Sequence, residues 1–505
     1  MKKKHGIGYK IDLGLISIIN ILAYFAWSFL PTVTIRSDGF VYMLSQTYKG
    51  FVQRSFFYTS YQNSGMLFGF LFSKLFGVKM ELYFWAELVV MLLINVLFYL
   101  LVKVVTKNRI IAFSASLMFA TSYFGLWDMF TNHCYCFFLE RPIVAILLLP
   151  SFMFLHVFLQ HSKRKYYAFS LILYFLAIGL AHFAILFTGP YLTYPFFYRI
   201  FEVGKTKRSI MSGLLYGLSY LLISGLFVLL QQVNESGFGP HKWTFLEFLT
   251  HPGLYKYPEK MTLELVYWTQ YPTFLKDIAT NPLQNLLDIK SAYIYAPYIL
   301  ALYTICSVII FKTLPKFRAL LFSVIFGIAG NFYLNAYFNQ WDILSQPDSS
   351  RYLFYPSFLL VIFWSLFFWS IFWSRRKAFY HAGFFLLGFY VWINIWLINA
   401  HVTWITKWDK STKAIQEYLI KNRDSLRKNT LVIGPYPEIG IQESIFFTEQ
   451  LGRGKVRYMS ENTNYDNWKD VAPSFSHIIR LHYDEKCGCV AEEKIRQSAI
   501  STSRF

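Results

Sequence analysis

Runs of about twenty apolar residues recur along most of this chain and constrain its fold more than any other feature. A helix rises 1.5 Å per residue, so about twenty residues are needed to cross about 30 Å of hydrocarbon. Only 15% of the residues are charged and 55% are hydrophobic, whereas about a quarter of a soluble protein is charged. The pattern predicts an all-α polytopic membrane bundle rather than several soluble domains.

The net charge of +20 is concentrated in short basic clusters between the apolar runs. Short loops rich in Lys and Arg stay in the cytoplasm, so the charge indicates topology rather than nucleic-acid binding. From residue 400 onward the charge is nearly balanced, with 16 Lys and Arg against 13 Asp and Glu. The clusters lie at residues 2–4, 103–109, 163–165, 205–208, 312–318 and 375–377.

Placing these clusters in the cytoplasm makes the apolar runs alternate consistently and predicts about eleven transmembrane helices. The N-terminus is then cytoplasmic and the C-terminus extracytoplasmic, in a multi-pass inner (plasma) membrane protein. The first run is too long for a signal-peptide core and is predicted to be retained. The spans are predicted near residues 11–34, 82–102, 110–126, 142–160, twice within 167–202 with a break at Gly189-Pro190, then 209–231, 294–311, 319–338, 352–373 and 379–399.

Two domains follow from this topology. Residues 1–400 form the transmembrane domain, whose long outer loops, 35–81 and 232–293, are predicted to contain interfacial helices because they are aromatic and amphipathic. Residues 401–505 form a small extracytoplasmic α/β domain. Its predicted elements are a helix over 410–428 and short strands at 430–433, 456–459 and 477–481.

The cysteines form two C-x-C pairs, Cys134 with Cys136 and Cys487 with Cys489, on the predicted outer side, where disulfides persist. A bridge between the two pairs and two reduced pairs are both open alternatives.

Charged residues gather at the predicted outer ends of the helices, where chemistry is expected because charge within the membrane is costly. Asp38 follows the first span, and Glu140 and Arg141 precede the fourth. Two carboxylates among several cations suit sugar transfer from a phosphate-linked donor, since one acid removes the acceptor's proton and cations hold the leaving phosphate. The candidate carboxylates are Asp38 and Glu140, and the candidate cations are Arg54, Arg141, His241, Lys242 and Arg351.

Each candidate also has a structural interpretation. Asp38 is placed to cap an interfacial helix, and Glu140-Arg141-Pro142 has the composition of a helix start. Arg351 beside Tyr352 is typical of an interfacial anchor. The remaining structural alternatives are a solvated loop for His241 and Lys242, a hydrogen-bonded core histidine for His182, and a snorkelled or paired acid for Glu87.

The chain resembles the polytopic GT-C glycosyltransferases, which include the protein O-mannosyltransferase and aminoarabinose-transferase branches. The resemblance rests on an acid that opens the first outer loop, a second acid at the outer start of span 4, and an Arg-Tyr pair entering a late span. In this sequence those features are Ser37-Asp38-Gly39-Phe40-Val41-Tyr42, Glu140, and Arg351-Tyr352 followed by Leu353, Tyr355 and Pro356.

The resemblance implies an inverting transferase whose donor is a polyprenyl-phosphate sugar and whose acceptor is a hydroxyl of a glycan, lipid or protein. Asp38 would be the general base, and Glu140 would orient the acceptor or the base. The implied substrate-binding residues are Tyr42, Arg54, Arg141, His241, Lys242, Arg351 and Tyr352. No metal or other cofactor is implied, although a pair of carboxylates is able to bind a divalent ion.

Two rival functions remain. A polysaccharide polymerase of this chemistry carries paired arginines in a large outer loop, whereas 232–293 contains no arginine. A flippase or transporter for lipid-linked sugars tends to have two matching halves, and the sequence contains no detectable duplication. Polar residues at mid-membrane would favour transport, and the candidates are Asn20, Asn95, Asn331, Asn335 and Asn394.

Overall fold

The structure is a computed structural model that describes residues 2–29, 71–123, 140–180, 182–204, 206–234, 289–338, 354–373, 379–426, 429–435, 439, 441–452, 455–461 and 467–496. It is mostly helical and ends in a small C-terminal sheet. The helices of the apolar part are α1 (Lys2–Trp27), α2 (Met80–Thr106), α3 (Arg109–Ala120), α4 (Glu140–His161), α5 (Arg164–Leu180), α6 (Thr188–Tyr198), α7 (Lys207–Asn234), α8 (Ile289–Thr313), α9 (Arg318–Phe338), α10 (Phe354–Phe368) and α11 (Tyr380–Asn422).

Six helical segments within the described residues are long and apolar enough to cross a membrane. A seventh is added if the two halves Pro297–Thr313 and Pro315–Asn331, bent by 115°, form one span. Helix α3 has 12 residues, about 18 Å, which is short of a full crossing. Helix lengths therefore support a membrane protein without confirming eleven crossings. The six segments are Gly8–Trp27, Glu81–Thr106, Pro142–His161, Lys207–Leu229, Phe354–Trp373 and Tyr380–Asn399.

Large apolar side chains cover the outer surfaces of the bundle. Leu222 of α7 and Phe385 of α11 are each 72% exposed, and soluble monomers rarely expose large contiguous apolar patches. Helix α5, which has 17 residues, also exposes large apolar side chains, at Phe169 and Ile172. Contact with lipid is the environment that suits these surfaces.

The break between α5 and α6 lies before the predicted Gly189-Pro190. A 3₁₀ helix, His182–Phe187, precedes α6, and both predicted break residues lie in the first turn of α6. Proline is tolerated there because a first-turn N–H has no partner within the helix. Gly189 is needed for packing instead, since a Cβ at this position would lie 3.1 Å from the Cα of Gly327.

Helix α11 runs without interruption through residue 400, where the sequence predicts the boundary between the two domains. Its 43 residues combine the last apolar segment with most of the helix predicted at 410–428. Ile415 and Leu419 near its end are fully buried, and this part of α11 contacts strands β3 and β4.

The predicted C-terminal strands are confirmed as β1 (Thr430–Gly434), β2 (Val456–Ser460) and β3 (His477–Asp484). The sheet order is β2-β1-β3-β4. Strands β2 and β3 pair parallel with β1, and α12 (Ile441–Phe447) and α13 (Trp468–Val471) lie in the two connections. The unpredicted β4 (Cys489–Lys494) pairs antiparallel with β3 at the edge.

Cys487 and Cys489 form a disulfide with each other. This arrangement differs from both sequence-based alternatives, because the two cysteines meet across the turn that joins β3 to β4. Cys134 and Cys136 lie outside the described residues.

Candidate functional site

The basic clusters of the described helices meet at one end of the bundle, here called the basic end. Lys103 and Arg109, at the α2–α3 junction, form ion pairs with Asp12 of α1. Phe158, near the α4–α5 junction, packs on Tyr216 near the start of α7, with ring centroids 4.9 Å apart. Phe201, after α6, contacts Phe311 near the end of α8. The junctions that carry the predicted cytoplasmic charges are therefore neighbours.

A buried carboxylate that the sequence analysis missed organises this end. Asp12 of α1 is 6% exposed. It accepts hydrogen bonds from Arg109 Nε at 2.8 Å, from Tyr99 Oη at 2.8 Å and from the Lys103 ammonium. The sequence does carry a signal for this residue. Asp12 is a single acid within the first apolar run, and the basic cluster at 103–109 follows the second run. Asp12 joins α1, α2 and α3 through these bonds, so its role is structural.

The opposite end, here called the loop face, is where α1 and α3 end and where α2, α4 and α10 begin. The indole of Trp27, the last residue of α1, donates to the carbonyl of Ala120, the last residue of α3, at 2.9 Å. Phe119 lies 6.1 Å from the ring of Phe354, the first residue of α10. Asn394 of α11 accepts from the Tyr123 backbone N–H at 2.7 Å. These contacts hold together the ends of α1 and α3, the start of α10 and one face of α11.

Aromatic rings pack beneath the loop face and are here called the aromatic floor. Phe119 stacks on Phe358 with centroids 4.1 Å apart, and Phe187 lies within 6.4 Å of both Tyr355 and Phe358. These rings occupy the space between α3, α6 and α10, and all of them are buried. The members of the floor are Phe119, Phe187, Phe354, Tyr355 and Phe358.

The described part of helix α4 starts at Glu140, so Glu140, Arg141 and Pro142 all lie in helix, as predicted. The Tyr191 hydroxyl donates to the Leu148 carbonyl at 2.6 Å, close to the level of the aromatic floor. Glu140 precedes Leu148 by two helical turns, about 12 Å. The backbone of Glu140 and Arg141 therefore lies on the loop-face side of the floor; their side chains are outside the described set.

The other predicted site residues fall outside the described residues. They are Asp38, Tyr42, Arg54, His241, Lys242, Arg351 and Tyr352. Two of them are close in sequence to a described helix. Asp38 comes eleven residues after Trp27, and Arg351 comes three residues before Phe354. His182 lies in the 3₁₀ helix before α6, with its side chain outside the described set.

Glu87, for which the sequence suggested a snorkelled or a paired acid, is completely buried. It lies in the second turn of α2 on the loop-face side and is 0% exposed, like its neighbours Tyr83 and Phe84. The side chain therefore does not snorkel to a membrane surface, and the paired-acid interpretation is the one consistent with complete burial.

Polar residues in the middle of the bundle join helices. Asn95 of α2 donates to Asn20 of α1 at 3.3 Å. A hydroxyl network joins α4, α5 and α7 through Ser151, Ser170 and Tyr220. A second links Tyr174, Thr188 and Ser224. Such bonds hold helices together in a membrane.

Among the described residues, no group of three or more His, Cys, Asp or Glu side chains is arranged to hold a metal ion. No protein-family model matches the chain, and no curated protein matches it. The resemblance to GT-C glycosyltransferases therefore rests on the sequence features alone.

Proposed function

We propose that this chain is a GT-C-type membrane glycosyltransferase that moves a sugar from a polyprenyl-phosphate donor to an acceptor hydroxyl. The observation that carries the proposal is the convergence of helix ends at the loop face. Trp27 binds Ala120, and Phe119 packs on Phe354. A residue spans at most about 3.5 Å, so Arg351 lies within about 10 Å of Phe354 and Asp38 within about 38 Å of Trp27.

In the proposed reaction, Asp38 takes the proton of the acceptor hydroxyl. The acceptor oxygen attacks the anomeric carbon and the bond to the donor phosphate breaks, so the sugar configuration is inverted. The phosphate leaves with the bond's electron pair and is stabilised by Arg351 together with Arg54 or Lys242. Arginine suits this task because its planar fork of donors matches phosphate oxygens.

Helix dipoles support an anion at the same end. Helices α4 and α10 both begin at the loop face, and the N-terminus of a helix carries about half a positive charge. Glu140 and Arg141, in the first turn of α4, are assigned to acceptor orientation and phosphate binding, and Tyr42, His241 and Tyr352 to substrate binding. This account needs no metal.

The described bundle favours transfer over transport. Buried aromatic rings occupy the space beneath the loop face, and the mid-membrane contact between Asn95 and Asn20 joins two helices. Both features suit a site that opens on one side only. In this account the basic end is cytoplasmic, because short Lys- and Arg-rich loops stay inside, and the loop face and C-terminal sheet are extracytoplasmic.

The test is sugar transfer in membranes that contain the full-length protein, supplied with a panel of radiolabelled polyprenyl-phosphate sugars. We expect Asp38→Asn to reduce transfer at least 100-fold at equal membrane abundance, which is the low end of a general base's contribution. Glu417→Gln, an exposed position on α11, is the matched control and should retain full activity.

Wild-type activity in Asp38→Asn would exclude this residue as the base. Movement of intact lipid-linked sugar across the membrane without transfer would identify a flippase. Products that lengthen by repeated additions would identify a polymerase.

A further inference from the structure

The turn between β3 and β4 presents a disulfide to solvent. The two strands pair over six residues each, from Ile479 opposite Lys494 to Asp484 opposite Cys489. Residues 485–488 form the connecting turn, and Cys487 bonds to Cys489 across a single residue. Every residue from 484 to 489 is exposed.

This disulfide contributes little as a staple. A crosslink stabilises a fold mainly by restricting the unfolded chain, and the effect grows with the length of the loop that is closed. Here the loop contains three residues. The hairpin is already aligned by its strand pairing, and the Gly488 N–H donates to the Asp484 carbonyl at 2.9 Å.

The turn is built to let the two sulfurs meet. Gly488, between the cysteines, has a φ of +65°, a conformation that L residues adopt at a cost of about 1–2 kcal/mol and glycine adopts freely. The Asp484 carboxylate accepts from the Lys486 backbone N–H at 2.8 Å, which further orders the turn. A bond that is exposed, locally prepared and of little use for stability fits exchange chemistry.

We propose that Cys487 and Cys489 form a thiol–disulfide exchange site that accepts an electron pair from a dithiol. A thiolate of the dithiol attacks one sulfur, the Cys487–Cys489 bond breaks, and a mixed disulfide forms. The second thiol of the partner then displaces the bound cysteine. The products are two cysteine thiols on this protein and a disulfide on the partner, so atoms and electrons balance.

The test uses the full-length protein in detergent, in a background in which Cys134, Cys136 and Cys306 are replaced by alanine. The protein is incubated without denaturant in graded ratios of reduced to oxidised dithiothreitol, quenched with acid and labelled with a maleimide of high mass. We expect a reversible two-thiol transition under native conditions, with the unfolding temperature changing by less than about 2 °C because the crosslink closes so short a loop.

Two variants extend the test. Cys489→Ser in the same background leaves Cys487, which should form a mixed disulfide with oxidised glutathione, whereas a variant that retains only Cys306, which is buried, should not. Gly488→Ala should shift the equilibrium toward the dithiol by about fivefold or more, because the left-handed conformation then costs at least about 1 kcal/mol.

Three results would overturn the proposal. They are two free thiols in protein isolated in air, a bond that is reduced only after denaturation, and a large loss of stability on reduction, which would make the bond a staple.

Discussion

The basic end and the loop face of the bundle differ in how their connections are built. At the basic end, the connections α2–α3, α4–α5 and α8–α9 have two to four residues, at 107–108, 162–163 and 314–317, and the buried acid Asp12 is fully engaged. At the loop face, α5 and α6 are joined by seven residues, 181–187, and the other connections between described helices cover residues 28–79, 121–139, 235–288 and 339–353. Short connections fix helix positions, whereas long ones provide the room and the side chains that binding requires.

Under the proposed function, the basic end provides stability and the loop face provides the chemistry. Changes at the basic end are expected to unfold the protein without altering turnover per folded molecule. Changes at the loop face are expected to alter turnover without unfolding it. A basic-end variant that lost turnover, or a loop-face variant that unfolded, would contradict this division of roles.

The largest effect on stability is expected from Gly217→Ala in α7. A Cβ there would lie 2.2 Å from the Leu192 carbonyl oxygen of α6, so the two helix backbones must move apart. We expect a loss of about 2–3 kcal/mol, the usual range for overpacking, measured as the midpoint of unfolding in a denaturing detergent. Gly225→Ala in the same helix, where a Cβ meets nothing within 4 Å, should be neutral or stabilising. Equal effects would contradict this close approach.

A smaller loss is expected from Asp12→Asn. The change leaves the Lys103 and Arg109 cations, whose side chains are 31% and 43% exposed, without their shared carboxylate. Partial exposure places the loss between that of a buried and a surface pair, about 1–2 kcal/mol. Asp424→Asn, at a side chain that is 77% exposed, should change the same midpoint little. A neutral Asp12→Asn would show that the basic end does not depend on this carboxylate.

The smallest effect is expected from Tyr458→Phe, which lies in the C-terminal sheet outside both ends. Burial raises the pKa of Tyr458 to about 12, and within the described residues its hydroxyl has no hydrogen-bond partner. A raised tyrosine pKa leaves stability unaffected below pH 10 and lowers it as pH rises toward 12. At pH 7 the variant should lie within about 1 kcal/mol of wild type.

The alkaline range provides the check on Tyr458. Unfolding midpoints measured between pH 8 and 11 should fall less in Tyr458→Phe than in wild type. Identical pH dependence in the two proteins would mean that this hydroxyl does not titrate from a buried site.

Hydropathy and turn chemistry predicted most of the fold that is described. Runs of β-branched and apolar residues identified β1, β2 and the first part of β3. Strand β4 was missed because residues 489–494 include Glu492, Glu493 and Lys494, and such an edge strand forms by pairing with its neighbour rather than by its own apolar pattern.

The differences from the sequence predictions have physical causes. The apolar pattern ends near residue 399, but α11 continues because backbone hydrogen bonding does not stop where hydropathy falls. Gly189 and Pro190 resemble a break in sequence, yet they serve close packing and a helix start. The pairing of Cys487 with Cys489 depends on a hairpin that the sequence did not predict.

The candidate site is predicted less completely than the fold. The sequence placed Glu140 and Arg141 in a helix, and the structure describes both as helical. It did not identify Asp12, because a charge inside an apolar run has no sequence pattern that distinguishes an ion pair between helices from a functional acid. The roles of Asp38 and Arg351 depend on segments that connect the helices, whose paths hydropathy does not determine.

The most direct test compares sugar transfer per folded molecule in two carboxylate variants, Asp38→Asn at the loop face and Asp12→Asn at the basic end. Both proteins are purified, their folded fractions measured, and their initial rates recorded with one polyprenyl-phosphate sugar. The account predicts at least a 100-fold loss for Asp38→Asn and a rate within about twofold of wild type for Asp12→Asn. Full activity in Asp38→Asn, or the larger loss in Asp12→Asn, would contradict the division between a chemical end and a structural end.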